Sequence, residues 1–208
     1  MAYLIYDIAK VIPEDYPVYF FDSNVWISGL IYYGYGSSQP FEKPYQNFIE
    51  AIINLNSAAP PSVTKRRKNQ PKIIISNLLI SEIINAYMRK VAMKSFFGGG
   101  ETYKSKDFKR DYRNNPHSDY KPNLSDLCYN FSCFKDYTIL SDGYINTINP
   151  HDIVDDLPSK LADFNDLCFY HYLKDKNIPF ITHDRDFKFE NLHIITANPE
   201  LIRISTIK

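Results

Sequence analysis

Cysteine is scarce in this chain, net charge is missing altogether, and no apolar run is long. The three cysteines, Cys128, Cys133 and Cys168, form no C-x-x-C pair. An odd number so spaced excludes a disulfide framework and a structural zinc site. A reducing compartment suits such a chain. Lysine plus arginine number 24 and aspartate plus glutamate also 24, so the formal charge is zero. A protein that holds nucleic acid by bulk charge would be basic; here any such binding needs a local patch or a bound cation. No stretch nears the roughly 18 apolar residues of a membrane span. The opening MAYLIYDIAK lacks the basic start and long apolar core of a secretion signal. A cytoplasmic location is expected.

What is present is ordinary for a globular protein: 44% hydrophobic and 23% charged residues. A length of 208 residues accommodates a single domain, 1–208, with a substantial core and an insertion. Aromatics are abundant at 15%, but Ile, Asn, Lys and Tyr are abundant together. That pattern reads as compositional bias, so the aromatics alone are no evidence of base stacking.

Short apolar runs alternate with helical periodicity. Val18–Phe21, Lys72–Ile75, Ile178–Thr182 and Leu192–Thr196 read as buried strands. Helices are predicted over Pro44–Asn56, Asn77–Lys94, Leu124–Tyr137 and Leu161–Lys174, with Thr138–Leu140 a short strand or helix end. Pro150–Leu157 is acidic and reads as turns. Residues 95–125 break the pattern: they are polar, basic and aromatic, with a triple glycine, Gly98–Gly100. They read as an insertion, partly helical at best, that the glycines would let move as a lid. Strands alternating with helices predict a mainly parallel sheet in an α/β fold.

Four acids stand at the ends of apolar runs: Asp22 in YFFDSNVWI, Glu82 in KIIISNLLISEIINAY, Asp166 in ADFNDLCFYHYL and Asp184 in IPFITHDRDF. Asp22 and Asp184 follow predicted strands, while Glu82 and Asp166 lie in the early turns of helices. Such sheets build their sites outside the carboxyl ends of the strands. Topology therefore sends all four to one edge, where grouped carboxylates need a cation. Each residue alone has a plain structural reading. An Asp after a strand is usually a turn residue, a helical Glu a solvated face, and Asp163 and Asp166 acids that suit a helix N-terminus. His183 reads as an exposed loop residue and His171 as packed on its helix.

In order and spacing, FFDSNVWI, IISNLLISEIINAY and DFNDLCFYHYLKDKNIPFITHDRDF resemble the PIN domain, over roughly residues 16–94 and 135–202. The last block is the most specific. The resemblance implies a three-layer α/β/α sandwich and a Mg²⁺- or Mn²⁺-dependent ribonuclease. It puts the family's acidic positions on Asp22, Glu82, Asp166 and Asp184 as metal-binding, catalytic residues. Asn24 (or Ser23) and Thr182 would orient ligands or water, and Asp163 and Asp186 are supporting acids.

The chemistry is coherent: Mg²⁺ takes oxygen ligands and keeps several waters, and a bound metal supplies hydroxide near neutral pH or steadies a leaving oxygen. The implied function is an endoribonuclease acting on RNA phosphodiester bonds. A toxin of a toxin–antitoxin pair, with an antitoxin protein as partner, is the narrower form, and a homodimer is a further expected assembly. The alternative is a non-catalytic PIN-like module that binds RNA or protein. Two basic stretches are candidate RNA contacts: Lys65, Arg66, Arg67 and Lys68 in one loop, and Lys109, Arg110 and Arg113 among the aromatics of the insertion. Each could equally be a solvated surface.

Overall fold

The computed structural model describes residues 3–33, 39–57, 70–141, 147–160 and 162–205. Six strands, β1 (Leu4–Asp7), β2 (Val18–Phe21), β3 (Lys72–Ile75), β4 (Thr138–Leu140), β5 (Phe180–Ile181) and β6 (His193–Thr196), form one sheet. Its order is β1-β6-β5-β2-β3-β4, and every pairing is parallel. The helices are α1 (Ser23–Tyr33), α2 (Lys43–Ser57), α3 (Asn77–Tyr87), α4 (Met93–Phe96), α5 (Gly100–Lys104), α6 (Tyr120–Ser132), α7 (Pro150–Lys160), α8 (Phe164–Leu173) and α9 (Pro199–Ile204).

Strand β2 shows why the sheet is covered twice. Its side chains alternate between faces, yet Tyr19, Phe20 and Phe21 are all fully buried. Tyr19 meets Phe48 of α2 edge-on, and Phe21 meets Trp26 of α1. Phe20 points the other way, to Phe169 and Tyr172 of α8 and to Phe180. Helices thus cover both faces, giving the expected three-layer α/β/α sandwich. A parallel strand buried on both sides reads as an unbroken apolar run, which VYFF is.

Several elements differ from the sequence reading. β1 is an additional strand, hydrogen-bonded to β6 at the sheet's edge. Residues 150–160 are a helix rather than turns: Pro150 opens it, Asp152 sits in its first turn and Ile153 is buried. Both devices favour a helix start. α8 begins at Phe164 rather than Leu161, because Asp163 caps it by accepting from the Asp166 backbone N–H at 2.9 Å. α6 starts at Tyr120 and stops at Ser132, with a 3₁₀ turn at Lys135–Tyr137. α3 does not run unbroken to Lys94 but passes through a π-helical turn, Met88–Ala92, into α4.

The insertion is packed, not loose. Phe108 and Tyr112 are buried and join Phe96, Phe97 and Tyr120 in one aromatic cluster. Arg89 lies over the Phe108 ring at 4.1 Å, and Tyr103 donates to the Arg89 carbonyl at 2.8 Å. Gly98, Gly99 and Gly100 all hold positive φ, at 74°, 73° and 63°. Side-chain-bearing residues rarely adopt that region, so the bend calls for glycine. The insertion is more helical than expected and packs an aromatic cluster of its own.

Candidate functional site

The site grows from the register of β2 and β5. Phe21 pairs with Ile181, so the next residues, Asp22 and Thr182, meet at the carboxyl edge of the sheet. Asp22 extends the ladder, donating its backbone N–H to the Ile181 carbonyl at 2.9 Å. Thr182 Oγ1 donates to Asp22 Oδ2 at 2.6 Å, and Asn24 Nδ2 donates to the same oxygen at 2.5 Å. The Thr182 hydroxyl in turn accepts from the Asp184 backbone N–H at 2.9 Å. One buried hydroxyl therefore ties Asp22 to the turn that carries Asp184. That turn is closed by Asp184 Oδ1, which accepts from the Asp186 N–H at 2.8 Å. The Asp186 side chain points outward and pairs loosely with Arg185 at 3.7 Å.

Glu82 arrives from β3 through α3. Ser76, fully buried, caps that helix by accepting from the Leu79 N–H at 3.2 Å. Both Glu82 oxygens are taken: Ser23 donates to Oε1 at 2.5 Å and Asn165 to Oε2 at 3.2 Å. Asn165 and Asp166 are neighbours on the first turn of α8, so Glu82 links α1, α3 and α8. Ser23 and Asn165 are the residues that motif reasoning placed least well. Ser23 stood only as an alternative to Asn24, and Asn165 had no signal beyond its place between two acids.

The electrostatics show that the four acids share one region. Burial pushes the Asp22 carboxyl up to about 7; the Thr182 hydrogen bond opposes this, and the charges of Glu82 and Asp184 add to it. Burial also raises Asp166 to about 7, with Asp163, Asp22, Glu82 and Asp184 all adding repulsion. Glu82 is raised too, by burial first, while its bonds to Ser23 and Asn165 pull the other way. Desolvation and like charge both disfavour the ionised forms. Among the described residues, though, no three Asp, Glu, His or Cys side chains converge closely enough to hold a metal ion between them. The acids are grouped, but Asp22 Oδ2, Asp184 Oδ1 and both Glu82 oxygens are held by the protein's own donors.

His183 departs from its reading as an exposed loop residue. Its ring is half-buried, with Nδ1 3.0 Å from the Tyr45 hydroxyl, and it stacks on Phe41 at 4.8 Å. His171 is packed on α8 as expected and pairs with Asp156 at 2.9 Å. Lys109, Arg110 and Arg113 are exposed on a π-helical turn of the insertion, and Arg110 is held by Asp111 at 2.7 and 2.9 Å. The insertion docks around Arg89, seven residues beyond Glu82, or about 10 Å along the helix axis. Lys65, Arg66, Arg67 and Lys68 lie outside the described residues. No helix among the described residues is long and apolar enough to cross a membrane.

No family model matches the chain, and no curated protein matches it in sequence. One solved structure with a similar course of chain is the VapBC2 complex from Rickettsia felis bound to a DNA fragment from its promoter. The match covers 85% of this chain and 96% of that one, at 15% identity and a TM-score of 0.44. A likeness of that size is too slight to carry function.

Proposed function

We propose that this protein is a metal-dependent endoribonuclease of the PIN type, with Asp22, Glu82, Asp166 and Asp184 as its catalytic acids. The observation that carries the reading is that one hydroxyl, Thr182, ties Asp22 to the Asp184 turn, while Ser23 and Asn165, the chain neighbours of Asp22 and Asp166, both hold Glu82. Each acid belongs to a motif that resembles the PIN pattern in order and spacing. A protein gains nothing in stability by grouping carboxylates that repel, with Asp22 buried and Glu82 and Asp166 half-buried. Such a group persists where a cation or a proton is needed to neutralise it.

The donor set is all oxygen, which suits Mg²⁺ or Mn²⁺. When bound, that ion would supply a deprotonated water or steady the leaving oxygen. The chain's own residues would do the rest. Thr182 and Asn24 hold Asp22 in one orientation, and Thr182 also fixes the Asp184 backbone. Ser23 and Asn165 restrain Glu82. Asp163 raises the proton affinity of Asp166 and caps its helix. RNA is the proposed substrate. An antitoxin partner, a homodimer and a cytoplasmic setting complete the reading, and they rest on the sequence resemblance or composition alone.

The test is cleavage of unstructured RNA with Mg²⁺ or Mn²⁺ by the wild type, Asp22→Asn and Asp184→Asn. Each substitution is expected to lower the rate by about a hundredfold or more, as loss of several kcal/mol of charge stabilisation requires. Equal rates in all three proteins would refute the assignment. A second reading, a non-catalytic RNA- or protein-binding module, is favoured by one observation: no three of these acids converge on a common point. Calorimetry separates the two. Absence of Mn²⁺ binding, with RNA bound equally well in EDTA, would establish the module instead.

A further inference from the structure

A nucleic acid cut at this edge has to be gripped by something other than charge, because the edge itself is acidic. Two of the large apolar side chains exposed among the described residues adjoin that edge. Phe41 is 49% exposed and Phe164 43% exposed. Phe41 is stacked on His183, the residue before Asp184, with ring centroids 4.8 Å apart and an interplanar angle of 24°. Phe164 opens α8, between the capping Asp163 and the Asn165 that holds Glu82.

His183 is held from several elements at once. Its Nδ1 lies against the Tyr45 hydroxyl of α2 at 3.0 Å, and its ring meets the Tyr45 ring edge-on. Its backbone N–H donates to Asn24 Oδ1 at 3.3 Å, and its carbonyl accepts from Asn198 Nδ2 at 2.8 Å. Tyr45 is itself buried and fixed, accepting from the Ala197 N–H at 2.8 Å and contacting Thr196 Oγ1 at 3.2 Å. Phe41 thus presents an aromatic face on a rigid base, one residue from a proposed catalytic acid. A π-face on an ordered support, beside the proposed catalytic acids, suits an unpaired base.

We infer that the Phe41–His183 stack is a nucleobase platform, with Phe164 on the α8 side of the acids. A base in a duplex is stacked on its neighbours and cannot reach such a platform without unpairing. This inference rests on the nuclease reading above, yet it can fail separately from it.

The experiment has two arms. The first measures anisotropy of three fluorescein-labelled probes, with Ca²⁺ in place of Mn²⁺ so that the strand is preserved: an unstructured single-stranded RNA, an abasic strand of equal length and a blunt RNA duplex. The wild type should prefer the base-bearing strand by about tenfold, the scale of one stacked base. Phe41→Ala should erase the preference and Phe41→Trp keep it. In Phe41→Trp, the new indole fluorescence should be quenched by the single strand and not by the abasic one. Phe164→Ala should weaken the preference by a smaller factor. The second arm measures steady-state cleavage in Mn²⁺, where Phe41→Ala should raise KM about tenfold and leave kcat in place. Equal binding of base-bearing and abasic strands by the wild type would overturn the platform, as would an unchanged preference in Phe41→Ala. Base preference without cleavage would keep the platform and end the nuclease reading. Cleavage with no effect of Phe41→Ala would do the reverse.

Discussion

The residue that most repays a single substitution is Thr182, because one hydroxyl serves two acids. It donates to Asp22 Oδ2 and accepts from the Asp184 N–H, and it is fully buried at the end of β5. Thr182→Val keeps the shape and removes both bonds. A buried carboxylate and a buried N–H would each lose a partner, so stability should fall by about 1–3 kcal/mol. If the nuclease assignment is correct, cleavage should fall by about 10–100-fold, the usual effect of losing a group that orients a metal-binding side chain. Thr182→Ser should recover most of the activity. Chemical denaturation and initial rates measured side by side check this; a valine variant of undiminished activity would show that Asp22 needs no such support.

At the scale of elements, the close approach of α1 and α2 depends on one glycine. A Cβ at Gly29 would stand 2.6 Å from Ile49 Cδ1, so the end of that buried side chain would have to shift. Gly29→Val should cost about 1–3 kcal/mol through overpacking, read as a lowered melting temperature. The aromatic cluster of the insertion makes a companion case. Tyr112→Ala should cost about 3–5 kcal/mol, as large-to-small changes in a core do. A movable lid would tolerate the same change almost freely. The cluster also shows where the sequence was hard to read. Phe96, Phe97, Phe108, Tyr112 and Tyr120 are spread through polar and basic residues, with no helical or strand period to mark them as core. β2 and β3 were legible to the residue because VYFF and the III of KIII are apolar runs bounded by prolines and polar residues. β1 was not, since only Ile5 in it is buried and an edge strand needs no full apolar pattern. α7 was hidden by its acidic composition and its internal Pro158. At the site, Asp22, Glu82, Asp166 and Asp184 were legible because topology alone gathers strand ends and helix starts. Ser23 and Asn165 were not, because their use depends on where α1 and α8 meet α3.

For the whole molecule, the grouped acids set the dependence of stability on pH. Asp22 and Asp166 hold protons up to about 7 in the folded chain, whereas an unfolded aspartate releases its proton near 4. Between roughly pH 4 and pH 7 the folded state therefore binds more protons than the unfolded state, and stability must fall as pH rises through that window. It then levels off above the folded values. For buried Asp22 the loss is on the order of a few kcal/mol. In EDTA the melting temperature should decline from pH 5 to pH 8, and Asp22→Asn should flatten much of that slope, since asparagine has no proton to lose. A divalent ion competes with the protons for the same oxygens. Mn²⁺ should therefore raise the melting temperature more at pH 8 than at pH 5, by an increment that grows with the logarithm of its concentration. Calorimetric scans at both pH values, with EDTA and then with Mn²⁺, separate the outcomes. A decline in EDTA that Mn²⁺ reverses at pH 8 means the edge evolved around a cation. A decline that Mn²⁺ leaves untouched means the carboxylates are neutralised by protons alone, and the metal-dependent assignment falls with it.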